Sequence, residues 1–100
     1  MTNIEAAGRI TPYCMGLYSD DNESALRQVV NFCKDVADTP IALQLAHAGR
    51  KASSARPWEG RKPILLSDGG WEIVAPSAIA LQDDTPVPRE LGSTEIADMV

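Results

Sequence analysis

Histidine and cysteine are scarce in this chain, and their scarcity removes several kinds of chemistry at once. One histidine and two cysteines do not make a zinc-ligand set. Cys14 and Cys33 stand far apart, with no Cys-x-x-Cys or Cys-x-His spacing, so neither a redox motif nor a metal knuckle is present. No base can be placed beside either thiol by spacing, so neither is a candidate nucleophile. No apolar run nears the ~18 residues of a membrane-crossing helix. Met1 to Gly8 lack the basic stretch and apolar run of a secretion signal. The expected compartment is therefore the cytoplasm, with both thiols reduced and no membrane partner. Basic residues are outnumbered, 9 against 14 acidic, and the net charge of −5 argues against a nucleic-acid partner. A glycine-rich phosphate cradle and a nucleophile elbow are also missing. No catalytic residue and no metal ligand is nominated.

What is present fits at most one domain of 100 residues. Residues 1–18 read as extended and irregular, punctuated by Gly8, Pro12 and Gly16. Ser19, Asp20, Asp21 and Asn22 form a helix N-cap cluster. Leu26, Val29, Val30, Cys33, Val36 and Ala37 then recur at helical spacing, and Pro40 marks the stop. Cys33 falls on that apolar face, where a free cysteine behaves as a small hydrophobe. Ile41 to Leu45 is a nearly continuous apolar run, as expected of a parallel strand covered on both faces. Helix, brief turn and buried strand together predict an α/β fold.

Residues 46–70 are polar and rich in Gly, Ser, Arg and Pro, and a loop of that length is usually functional or disordered. Two apolar stretches, Trp71 to Ala75 and Ala78 to Leu81, flank Pro76 and Ser77 and suggest a small hairpin. Asp83 to Pro88 is irregular. Ser93, Thr94 and Glu95 open a second helix carrying Ile96, Met99 and Val100, and its shortness suggests an internal piece of something longer.

Gln44 is the polar exception inside the apolar run. An amide offers two donors and an acceptor on one plane, which matches the edge of a flavin pyrimidine or a nucleobase. It would equally tie one strand to another loop. His47, Ala48, Gly49, Arg50 and Lys51 follow at once, a small-residue turn with basic side chains such as ends a barrel strand. Gly49 is a candidate for positive φ. His47 reads as structural, because no second histidine or carboxylate can be placed beside it. The basic cluster of Arg50, Lys51, Arg56, Arg61 and Lys62 reads as a solvated loop more readily than as a phosphate site.

Four blocks then carry a resemblance. GRITP at 8–12, IALQLAHAGRK at 41–51, RPWEG at 56–60 and APSAI at 75–79 occur in this order in Old Yellow Enzyme-like NAD(P)H:flavin oxidoreductases. The chain most resembles the bacterial branch that includes xenobiotic reductases. The resemblance covers essentially the whole chain and makes residues 1–100 a fragment of a single FMN-binding domain. It implies part of a (β/α)8 barrel, with Ile41 to Leu45 as the third strand, the preceding helix as the second barrel helix, and residues 71–81 in a hairpin excursion. It further implies FMN as cofactor and NADPH or NADH as hydride donor. The implied activity is ene reduction of an activated alkene by a parent expected to be a homo-oligomer. Gln44 corresponds to the glutamine that hydrogen-bonds the flavin pyrimidine, and Met1 to a backbone position, usually alanine, that approaches the flavin. The family's histidine pair, proton-donating tyrosine and phosphate loops map to nothing here, and neither Tyr13 nor Tyr18 lies in the matching motif. The isolated chain is therefore expected to be inactive. Two rivals are a non-catalytic relic or interaction fragment, and a piece of an aldolase barrel in which Arg50 and Lys51 hold a phosphate.

Overall fold

The computed structural model describes residues 1–99. Val100, assigned above to the second helix, lies outside the described residues. Strand β1 (Thr2–Asn3) runs parallel to β2 (Leu45–Ala46), Thr2 opposite Leu45 and Asn3 opposite Ala46. Helix α1 (Asp20–Val36) lies between them in sequence, so the three make a β-α-β unit of the kind parallel strands require. A second parallel pair joins β3 (Val74–Ala75) to β4 (Arg89–Glu90). Helix α2 (Ser93–Asp98) follows. The α/β class is as expected. The two pairs are separate two-stranded sheets, and no arc of a barrel is formed by them.

The ends of α1 follow from its sequence. The Ser19 hydroxyl accepts from the Asn22 N–H at 3.2 Å, satisfying an otherwise orphaned donor. Asp20, Asp21 and Glu23 place negative charge on the first turn, Lys34 positive charge on the last. Glu23 and Arg27 pair along one exposed face. The apolar stripe, however, has no cover. No residue of α1 is buried and the helix packs on no other element among the described residues. Phe32 and Val36 are about two-thirds exposed, at 66% and 65%. Cys33, expected on a buried face, is half-buried.

Two other expectations are corrected. The strand over Ile41 to Leu45 is reduced to Leu45–Ala46, and Ile41, Leu43 and Gln44 are exposed. Its one partner strand is two residues long and no helix lies on it, so continuous apolarity finds nothing to be buried against. The hairpin over residues 71–81 does not form either. Ile79 N–H closes a local turn onto the Ser77 carbonyl, and β3 pairs instead with β4, through Arg89 N–H to Ile73 O and Leu91 N–H to Ala75 O, each 2.9 Å. Residues 1–18, read as extended and irregular, carry one regular element, β1. Asn3 is clasped on its far side by Met15 and Leu17: its N–H donates to Met15 O and its carbonyl accepts from Leu17 N–H. That double pairing explains how Asn3 and Thr2 reach 0% and 1% exposure.

The small core gathers Ala52, Ile73, Val74, Ala75 and Pro88 beside Ser53. The 46–70 loop is organised around Ser53. Its hydroxyl donates to Ile64 O at 2.8 Å and accepts from Trp71 N–H at 3.2 Å. Its backbone bonds Ile64 and Arg9. Its φ of 52° is a left-handed conformation unusual for serine, held by these four bonds.

Candidate functional site

The site builds outward from the end of β2. Thr2 N–H donates to the Gln44 carbonyl at 2.8 Å, and Ile4 N–H to the Ala46 carbonyl at 3.2 Å. With Thr2 opposite Leu45, the next register step places Met1 beside Gln44. The two residues nominated from the sequence are thus neighbours on adjacent parallel strands, although 43 positions separate them in the chain (44 − 1). Both are exposed. The Gln44 amide was expected to be buried; it stands open, and among the described residues no protein group takes up its donors or acceptor.

The turn after β2 is fixed by His47. Gly49 N–H donates to Nδ1 at 2.9 Å, so Nδ1 is the acceptor nitrogen and Nε2 carries the proton. Nε2 then donates to Glu5 Oε1 at 2.7 Å. Both ring nitrogens are committed and the side chain is only 16% exposed. This geometry supports a structural histidine but corrects the reason given for it: a carboxylate does stand beside the ring. Glu5 was missed because nothing in an irregular N-terminal stretch signals a partner so distant in sequence. The imidazole also presses on Gly8, where a Cβ would fall 2.7 Å from the ring. Ala48 N–H donates to Gly8 O at 2.9 Å, so the GRITP loop and the HAGRK turn form one unit. Gly49 has a φ of 57°, as expected.

The same loop is anchored to Trp71 and to Arg56 of the third block. Trp71 Nε1–H donates to Ala7 O at 2.9 Å, and the Arg9 guanidinium lies 4.7 Å above the Trp71 ring. Arg56 stacks on Tyr13 at 4.4 Å and pairs with Glu59, whose carboxyl is held below its ordinary value chiefly by that hydrogen bond. Tyr13 and Trp58 are both exposed. Cys14 receives the Thr11 N–H at 3.3 Å. Burial pushes its thiol up, but hydrogen bonding from Thr11 and the charge of Arg9 together bring it below its ordinary value. Among the described residues no cluster of His, Cys, Asp or Glu suits a metal ion, and no helix is long and apolar enough to cross a membrane.

No family model matches the chain. Curated relatives do match it along its length. An NADH:flavin oxidoreductase of Gibberella zeae is 37% identical over 98% of this chain. NADPH dehydrogenases of Geobacillus thermodenitrificans and Bacillus cytotoxicus are 32% and 35% identical over 99% of it. The chain spans about a quarter of the length of these relatives, 24% in each case. The family resemblance carried by the four sequence blocks is therefore borne out: homologues of the Old Yellow Enzyme family cover 98% of the chain.

Proposed function

We propose, from this homology, that the chain is the flavin-contacting segment of an FMN-dependent NAD(P)H oxidoreductase with a (β/α)8 barrel. The observation that carries the reading is the β1–β2 register, which brings Met1 beside Gln44, one step before the Thr2–Leu45 pair, in a parallel β-α-β unit. FMN, when bound, would supply the redox chemistry of hydride transfer from NADPH or NADH to an activated alkene.

The residues present fit such a group at one edge. Gln44 keeps a planar donor-acceptor amide free of protein partners, as a residue reserved for a ligand edge should. In this reading the amide would hydrogen-bond the pyrimidine ring and fix its orientation, and the Met1 backbone would approach from the next strand. His47 acts only on the protein: it locks the turn after β2, so that the strand end carrying Gln44 keeps one position. The exposed faces of α1 and of Ile41, Leu43 and Leu45 are the surfaces that neighbouring barrel elements would cover. The test is purification of the whole polypeptide that carries this chain. Stoichiometric FMN and oxidation of NADPH or NADH with an enone support the proposal; failure to bind FMN on reconstitution contradicts it.

A further inference from the structure

His47 is held on three sides by groups that fix which of its nitrogens carries a proton. Nε2 faces Glu5 Oε1 at 2.7 Å, Nδ1 faces the Gly49 N–H at 2.9 Å, and Gly8 lies against the ring. With the side chain only 16% exposed, the ring has little room to seek other partners. The arrangement is complete for a neutral imidazole, in which one nitrogen donates and the other accepts.

A second proton is tolerated on one side of the ring and not on the other. An imidazolium has a donor at both nitrogens and no acceptor. At Nε2 the bond to Glu5 becomes fully charge-assisted, roughly twice as strong as a neutral one. At Nδ1 the new N–H points at the Gly49 N–H, donor against donor, across the same 2.9 Å. The ring therefore stays with Glu5, and Gly49 is the partner that yields. Its φ of 57° belongs to a residue without a Cβ, to which other backbone conformations are open at little cost. Its movement strains two bonds of the short turn, Lys51 N–H to Ala48 O at 3.1 Å and Ala52 N–H to Gly49 O at 3.0 Å.

Among the described residues, Glu5 is the one titratable side chain bonded to the ring. The groove beyond Glu5 holds Arg9, Glu72, Arg89, Glu95 and Asp98. Arg89 is taken by Glu72 and Glu95, and Arg9 lies on the Trp71 ring. On the turn itself, Arg50 is bonded to Ala80 O and Lys51 is exposed. Glu5 is thus the charge that meets an imidazolium.

We propose that His47 is a proton-operated latch on the turn that ends β2, closed while the ring is neutral and released at Gly49 when the ring takes a second proton. The latch uses bonds within this chain alone and is independent of the flavin reading.

The test is an NMR titration of the whole polypeptide that carries this chain, from about pH 8 to about pH 5, the range across which an imidazole changes charge. The ¹⁵N-labelled Gly49 amide should move upfield in one step as its bond to Nδ1 is lost. The amides of Lys51 and Ala52 should lose hydrogen-exchange protection over the same range. His47→Asn puts a carbonyl oxygen, which does not titrate, near the place of Nδ1, so the Gly49 amide should stay downfield throughout. Glu5→Gln keeps an acceptor for Nε2 but removes the charge that favours the imidazolium, so the step should come at lower pH. This second variant decides the matter if His47→Asn does not fold. A Gly49 amide that does not move in the native protein, an equal step in folded His47→Asn, or a step unmoved by Glu5→Gln would each overturn the proposal.

Discussion

Glu5 and His47 share a 2.7 Å hydrogen bond across 42 residues of sequence, and that bond joins the N-terminal loop to the turn that ends β2. The ring sits between it and the Gly49 N–H, with Gly8 packed against its face. Gly8→Ala should therefore destabilise the chain, since a methyl 2.7 Å from the ring forces His47 off both partners. A loss of roughly 1–3 kcal/mol is expected in a denaturant melt. Adding His47→Ala to Gly8→Ala should cost less than the two single losses summed, because the methyl then has no ring to displace. Full additivity would show that Gly8 and His47 do not communicate.

Ser53 is the second fixed point. Ser53→Ala removes the hydroxyl from both Ile64 O and Trp71 N–H while leaving those groups in a largely closed setting. A destabilisation of about 1–3 kcal/mol is expected. The amides of Ile64 and Trp71 should lose hydrogen-exchange protection before those of α1. Unchanged protection at both amides would remove Ser53 from this role.

Arg89 links β4 to α2 through Glu95 and to the segment just before β3 through Glu72. Its two hydrogen bonds hold the Glu95 carboxyl below the ordinary value, and the Gly92 N–H adds to this. A carboxyl lowered in the folded chain stabilises it at pH values above the unfolded value. That contribution disappears as pH falls through the lowered folded value. Acid should therefore loosen α2 from Arg89 at a lower pH than protonates an unpaired glutamate. A ¹³C titration of Glu95 should give a midpoint below 4.5, moving up toward it in Arg89→Gln. A midpoint that does not move in the variant would show that Arg89 is not the cause.

These features were legible in the sequence to different degrees, for physical reasons. The start of α1 was readable because a serine hydroxyl and a local run of acidic residues act within one turn. Gly49 was readable because few residues other than glycine adopt its backbone conformation freely. Gln44 was readable as an exception to its own neighbourhood, and its nearness to Met1 follows from the β1–β2 register. Its exposure was not, because an apolar run reports what a strand could be buried against, not what lies beside it. The β3–β4 pair was hidden by Pro76, Pro86 and Pro88 in the connection, which read as loop while the pairing on either side uses only the backbone. Glu5 was hidden because a pairing so long-range leaves no local pattern.

The most direct test of the account is the FMN affinity of the whole polypeptide carrying Gln44→Leu. Leucine keeps the bulk and removes every donor and acceptor, so the loss reads the amide alone. The account predicts FMN bound about tenfold or more weakly, in line with roughly 1–3 kcal/mol for hydrogen bonds lost at a covered site, together with a shifted flavin reduction potential. Unchanged affinity and unchanged potential would contradict it.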